Sequence, residues 1–338
     1  MENTVLNWGI IGAGIIAHKM AQALHLADGN ELVAIASKTP EKARDFAETF
    51  ALDKAYTYEE IAADKSIDVI YVATTHNYHF ENALLALSHG KHVLIEKPFT
   101  VNAREARQLA GLASKNGLFL MEALWTRFLP SVRRLKHDIG EGLLGEVKML
   151  NITFGGFVSP KYEQRLNDPA LAGGVTLDMG IYPISFSAFL LGEIPSEIKS
   201  MTRFSDRGVD EICTYSFRFP SGCFAQIATS FNLLMKNEAI IYGSEGYVTF
   251  PNFLTGDRYT LHRHNGKREV EEVLEIISPQ HENGFVYQVE EVARCIRKGL
   301  TESPIIPLSA TIATMEVMDQ MRMEWGLEYP FEKKIPKQ

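Results

Sequence analysis

Three small groups of residues in this 338-residue chain could do chemistry. The first is a glycine turn. Gly12-Ala13-Gly14 follows the apolar run Trp8-Gly9-Ile10-Ile11, and Ile15-Ile16-Ala17 opens a helical pattern through Met20, Ala21 and Leu24. Gly12 permits the tight turn, Gly14 lets backbone approach a pyrophosphate, and Ala17 is small enough for a helix to lie on the strand. The free N–H groups of the helix start, around Ile15 and Ile16, suit phosphates. The second group is Glu96-Lys97-Pro98-Phe99, after the apolar run 92–95. Pro98 keeps Lys97 out of helical geometry and is able to take the cis form, which would aim the lysine into a crevice where it can bond a substrate hydroxyl. The third is Asp178 and Tyr182, at i and i+4 of a helical stretch whose Leu177, Ile181, Ile184 and Ala188 form an inward stripe. A tyrosine can deliver a proton to a carbonyl if a nearby cation, for which Lys97 is available, lowers its pKa from about 10. Bland readings stand beside these: Lys97 as an exposed turn lysine, and Tyr182 as a buried ring bonded to Asp178.

The end of the second strand bears on which dinucleotide fits. An NAD site usually places an acid there to accept from the ribose hydroxyls. This chain has Ser37 and Lys38, with Lys42 a helical turn further on, beyond Thr39 as N-cap and Pro40 as first helical residue. A hydroxyl and two ammonium groups suit a 2′-phosphate, so NADP(H) is the expected cofactor, the alternative being that both lysines are merely solvated.

To position these groups, the chain up to about residue 123 alternates short strands (7–11, 31–36, 68–73, 92–95, 118–121) with amphipathic helices, the pattern of a doubly wound parallel sheet. Gly90 ends a helix over 80–89, and Asn102 and Gly117 bracket another. Beyond it, helical stretches at 132–138 and 176–191, a strand at 147–154, and strands near 196–204, 211–219, 223–231, 238–242, 246–250, 259–264 and 268–273 predict an α+β domain with a large, mostly antiparallel open sheet. Two helices, 285–298 and 308–325, close the chain. The expected division is 1–123 for cofactor and 124–338 for substrate and dimerisation. An open sheet face with no helix left to cover it predicts a homodimer.

Composition limits the alternatives. A hydrophobic content of 46% with 22% charged residues suits a soluble enzyme with two cores, and the net charge of −8 argues against general affinity for nucleic acid or anionic membrane. Cys213, Cys223 and Cys295 lack metal or disulfide spacing, which fits a reducing cytoplasm. Met1-Glu2-Asn3-Thr4 has no leader character, and no apolar run is expected to reach the length of a membrane span. His76 and His79 have H-x-x-H spacing but no acidic or cysteine partner nearby, so no metal is expected and both are placed at the cofactor crevice. The turn 242–246 reads as a hairpin, and Met315, Met318, Met321 and Met323 as packing residues.

Together, Val93-Leu94-Ile95-Glu96-Lys97-Pro98, the run from Leu118 through Glu122 and Trp125-Thr126-Arg127-Phe128 to Pro130, Gly173-Gly174 through Tyr182, and Arg297-Lys298-Gly299-Leu300 with Glu302-Ser303-Pro304 resemble the Gfo/Idh/MocA family across nearly the whole chain. The resemblance implies a Rossmann domain for NADP(H), a sheet domain for substrate and dimerisation, and catalytic Lys97 and Tyr182 with Asp178 beside them. The substrate would be a sugar or a cyclic trans-diol. It further implies that Thr74, Thr75, His76, Asn77, His79, Glu96 and Lys97 line the cofactor crevice, and that Trp125 and Arg127 wall it, core and ion-pair roles being their alternatives. Inositol-type members carry His at the position of Tyr182. Lys38 and Lys42 stand where arginines are expected, and Thr74-Thr75-His76 lacks a customary proline. Lysine keeps the charge without the bidentate fork. The rival readings are a reductase of another sugar or inositol derivative and a non-catalytic NADP-binding regulator.

Overall fold

The computed structural model describes residues 5–332 except 265, 267 and 268, and the side chains of 160–162 are likewise outside the description. The N-terminal tetrapeptide and Arg268, which begins the expected strand 268–273, lie outside the described residues. The chain forms two compact units: Met1–Trp125 with His281–Met315, and Thr126–Gln280 with Glu316–Gln338.

The first unit runs β1 (Leu6–Ile11), α1 (Ile15–Leu26), β2 (Asn30–Ala36), α2 (Pro40–Thr49), β3 (Lys54–Tyr56), α3 (Tyr58–Ala63), β4 (Val69–Val72), α4 (His79–Ser88), β5 (His92–Glu96), α5 (Ala103–Asn116) and β6 (Leu120–Ala123). Its six strands are all parallel, in the order β3-β2-β1-β4-β5-β6. That order puts the topological switch between β1 and β4, so the binding crevice opens at the carboxyl ends of those strands. Helices cover both faces, and β4 to β6 are therefore continuous buried runs rather than alternating ones. Asn102 caps α5 by accepting from Glu105 N at 3.0 Å, and Gly117 closes it in the left-handed conformation. The short β3 was not anticipated, because three residues carry no readable period.

The second unit contains α6 (Pro130–Gly140), β7 (Val147–Gly155), α7 (Pro160–Leu166), α8 (Ile181–Leu191), β8 (Glu197–Phe204), β9 (Asp210–Arg218), β10 (Phe224–Ser230), β11 (Glu238–Gly243), β12 (Gly246–Pro251), β13 (Arg258–His264) and β14 (Val270–Ile277). The eight strands lie in the order β14-β13-β12-β11-β7-β10-β9-β8, with only β7 and β10 parallel. One face packs on α8, whose residues are buried nearly all round. Residues 242–246 form the expected hairpin between β11 and β12.

Four expectations are corrected. A single boundary near 123 places everything after it in one domain, yet the segment containing α9 (Val286–Arg297) belongs to the first unit. There α9 buries Val286, Val289 and Val292, Arg297 Nη2 donates to Gly29 O at 2.8 Å, and Leu120 N donates to Thr301 O at 3.0 Å. The division itself falls within α10 (Leu308–Trp325). Next, 176–191 is not one α-helix: Thr176–Gly180 is a π-turn, with Ile181 N–H reaching the Thr176 carbonyl, and α8 follows it. Pro183 has no N–H to offer the Met179 carbonyl, which relieves the usual α spacing at this point. Third, a segment of span length does exist: Pro169–Leu191 holds a window of mean hydropathy 1.4, but 78% of that window is buried within the protein, as in a core helix. Finally, Met315, Met318 and Met321 are buried as expected, whereas Met323 is 76% exposed.

Candidate functional site

The carboxyl edge of the parallel sheet collects most of the residues that sequence reasoning selected. Gly12 follows β1 with φ +107°, and its N–H donates to Ala36 O at 2.8 Å. A Cβ here would stand 2.6 Å from Ala73 O, so only glycine lets β1 turn this close to the chain leaving β4. Gly14 is the N-cap of α1 and makes no side-chain cap. A Cβ there would meet nothing within 4 Å, leaving an open cradle in front of the first-turn N–H groups, which no helix can satisfy internally. Ile15 is half exposed beside it. This cradle fits a pyrophosphate.

After β2, Ser37 Oγ accepts from Thr39 N at 3.2 Å, Thr39 makes no side-chain cap, and Lys42 is exposed on α2. Lys38 Nζ lies 3.7 Å from the centre of the Tyr78 ring, a cation–π contact that holds the ammonium at the sheet edge. Tyr78 went unnoticed in the sequence, where an aromatic next to two histidines gave no signal of its partner. After β4, Thr75 Oγ1 donates to Asn77 Oδ1 at 2.7 Å, and Asn82 Nδ2 donates to Thr74 Oγ1 at 3.2 Å.

The turn bearing Lys97 is held by several buried groups. The Lys97–Pro98 peptide is cis. Glu96 accepts from the Tyr71 hydroxyl and from Lys97 N, the latter at 3.1 Å. Glu122, missed in the sequence as a strand residue, accepts from Phe99 N at 3.0 Å and from Thr311 Oγ1 at 3.1 Å. His79 is fully buried between the β4 and β5 loops, with Nδ1 2.8 Å from Pro98 O and Nε2 3.2 Å from Thr74 O, and the single N–H of the neutral ring donates to one of these two carbonyls. Burial and the neighbouring His76 lower its pKa from 6.5 to about 3, outweighing the two carbonyls that favour the cation. Between those two pH values the unfolded chain binds a proton that the fold refuses, so stability falls as pH drops through that window. His79→Gln should flatten this acid decline in thermal unfolding midpoint. Parallel curves for parent and variant would contradict the assignment.

Trp125, in a short 3₁₀ turn after β6, is buried against Phe285 at 5.4 Å between ring centres. Lys19 Nζ lies over both rings, at 4.5 and 4.4 Å, and its burial lowers its pKa while Glu96 opposes that shift. Lys19 gave no sequence signal, because a helix lysine ordinarily reads as solvated.

The second unit holds the other candidates. Tyr182 is 8% exposed in the first turn of α8, and the Phe154 ring meets it edge-on at 6.0 Å. Asp178 lies in the preceding π-turn, 3.5 Å from Arg165 Nη2. Arg127 is buried and donates from Nε to Ser185 Oγ at 2.8 Å, with its guanidinium 5.2 Å from the Phe189 ring centre. The described residues include no cluster of three potential metal ligands.

Comparison with known proteins gives a consistent pattern. Residues 6–124 match the GFO_IDH_MocA model, described as an oxidoreductase family with an NAD-binding Rossmann fold, and residues 132–249 match the GFO/IDH/MocA C-terminal domain. Trans-1,2-dihydrobenzene-1,2-diol dehydrogenase of Mus musculus is 33% identical over 337 residues, covering 97% of this chain and 99% of the mouse protein. The Homo sapiens protein of the same name is 32% identical over 334 residues, with the same coverage. Among solved structures, a 3-ketoreductase from Actinomadura kijaniata in complex with NADP and TDP-benzene superposes with a TM-score of 0.84 at 25% identity, over 94% of this chain and 97% of that one.

Proposed function

The chain belongs to the Gfo/Idh/MocA oxidoreductase family, and from that premise we propose that it is an NADP(H)-dependent dehydrogenase or reductase of a sugar or cyclic diol. The observation that carries this reading is the gathering of the glycine cradle, Lys38 and Lys97 at one sheet edge. Similarity to dihydrodiol dehydrogenases along the full chain supports the substrate class. When bound, the dinucleotide supplies a nicotinamide carbon that takes or returns a hydride. Gly12 and Gly14 shape the cradle, and the N–H groups of Ile15 and Ile16 hold the phosphates. Ser37, Lys38 and Lys42 face the 2′-phosphate, while Thr74, Thr75, His76, Asn77 and Glu96 line the nicotinamide half with Trp125, and the fully buried His79 braces that lining from behind. Lys97 bonds the reacting oxygen and polarises it. Tyr182 takes the hydroxyl proton during oxidation and returns it during reduction, with Asp178 beside it.

Reduction of NADP+ and NAD+ by the purified protein, with D-xylose, D-glucose, myo-inositol and a trans-cyclohexadiene diol, tests this reading. NADP-linked turnover on xylose or the diol, lost in Lys97→Ala, is expected; tight NADP binding with no turnover on any of them would favour the regulator. For the cofactor, Lys38→Ala should weaken NADPH binding about tenfold while leaving NADH within about twofold, the loss of one phosphate contact. Equal weakening of both would assign Lys38 to the fold instead.

The uncovered sheet face carries a cross-strand row, Phe224, Met149, Tyr242, Tyr247 and His262, in register over five strands. Tyr247 and His262 stack at 4.4 Å, and Phe224 is 46% exposed. This face is proposed to pair with a second copy. Light scattering should return a dimer mass, and a monomer mass at all concentrations would reject it.

A further inference from the structure

Beneath the π-turn of the second unit lies a seat of buried polar groups. Asp210, the first residue of β9, is wholly buried; its Oδ2 accepts from Thr176 N at 2.7 Å and from the Cys213 thiol at 3.6 Å, while its Oδ1 has no hydrogen-bond partner. That oxygen faces Gly174, whose φ is +123° and where any Cβ would collide with it. Thr176 Oγ1 lies 2.9 Å from the Tyr215 hydroxyl, which continues to Thr229 Oγ1 at 3.0 Å. The same hydroxyl would meet a Cβ at Gly180 at 2.8 Å. Tyr329 donates to Gly173 O at 2.6 Å. The segment is thus held at Gly173 and at Thr176 by side chains with no solvent access, and Tyr215 packs closely against Gly180.

We infer that Asp210, with Tyr215 beside it, is a positioning residue: it fixes the wide turn that carries Asp178 and launches the helix bearing Tyr182. This rests on the proposed role of Tyr182. A buried carboxylate is costly to keep, and what it secures here is the backbone N–H at the entry of the turn, where an unmet donor would also be penalised. Truncating the carboxylate frees Thr176 N–H and opens space under Gly174, so the turn loses its fixed entry and Tyr182 can rotate away from its place.

The test compares Asp210→Ala, Asp210→Asn and Tyr182→Phe in the full chain, by steady-state kinetics and by hydrogen exchange. Asp210→Ala is expected to lower kcat on the order of 10²-fold, with the KM for xylose or diol within about threefold of the parent and NADPH affinity unchanged. Asp210→Asn, which keeps an oxygen for Thr176 N–H, is expected to recover kcat to within about fivefold. In Asp210→Ala, amides 174–182 should exchange faster while those of the parallel sheet hold their parent rates. If Asp210→Ala is not recovered folded, Tyr215→Phe carries the test, with about a tenfold loss of kcat and the same local exchange. Parent-like kcat and exchange in the folded variant, or faster exchange throughout the chain, would overturn the inference. If Tyr182→Phe keeps full turnover, the functional reading fails instead, and the exchange result alone then decides whether Asp210 seats the turn.

Discussion

Tyr182→Phe is expected to lower kcat by about 10²- to 10⁴-fold, the usual contribution of one positioned acid or base, while the dissociation constant for NADPH stays at its parent value. The asymmetry follows from placement. The proposed dinucleotide contacts are made by Gly12, Gly14 and the first turn of α1, and none of them uses the Tyr182 hydroxyl. The ring remains to fill its place against Phe154, which limits any loss of stability. Stopped-flow turnover with a parallel fluorescence titration of NADPH would check both halves. A fall in cofactor affinity of the same size as the fall in kcat would mean that Tyr182 binds rather than transfers a proton.

The two glycines of the turn should separate fold from binding. Gly12→Ala is expected to destabilise the protein by roughly 2–4 kcal/mol, combining a strained positive φ with an overpacked backbone contact. The contact is with Ala73 O, a backbone atom that cannot swing aside. Gly14→Ala meets nothing within 4 Å and has an extended φ of −92°, so its stability should stay within about 0.5 kcal/mol of the parent. Its new methyl occupies the space of the pyrophosphate, which should cost about ten- to a hundredfold in NADPH affinity, the scale of one intruding methyl in a packed site. Urea unfolding and NADPH titration of both variants would read this out. A destabilised Gly14→Ala, or a Gly12→Ala of parent stability, would contradict the geometry of the turn.

Much of this architecture was legible because its signals are local. A strand, a glycine turn and a small residue three positions on mark β1 and α1 within a dozen residues. Asn102 and Gly117 announce α5 from its two ends. Lys97 could be placed at a sheet edge because an apolar run leads straight into it. What stayed hidden depends on partners far away in sequence. The amphipathic pattern of α9 shows that it has a buried face, but not that the face belongs to the first unit, a fact fixed by contacts such as Arg297 with Gly29. The π-turn follows from Pro183 together with the seat beneath it, and Asp210 reads in sequence as a polar residue at a strand end. Lys19, Tyr71 and Glu122 likewise became visible only when the strands were laid side by side.

The proposed mechanism moves hydride directly between a substrate carbinol carbon and the nicotinamide. Incubating the protein with NADP+ and substrate deuterated at the reacting carbon, C1 of D-xylose or the carbinol carbons of the trans-diol, and measuring the mass of the reduced cofactor reads this step. One deuterium is expected in NADPH for each substrate oxidised, at a rate that collapses in Tyr182→Phe and in Lys97→Ala. Oxidised product accompanied by unlabelled NADPH, or full transfer in the Tyr182 and Lys97 variants, would contradict it.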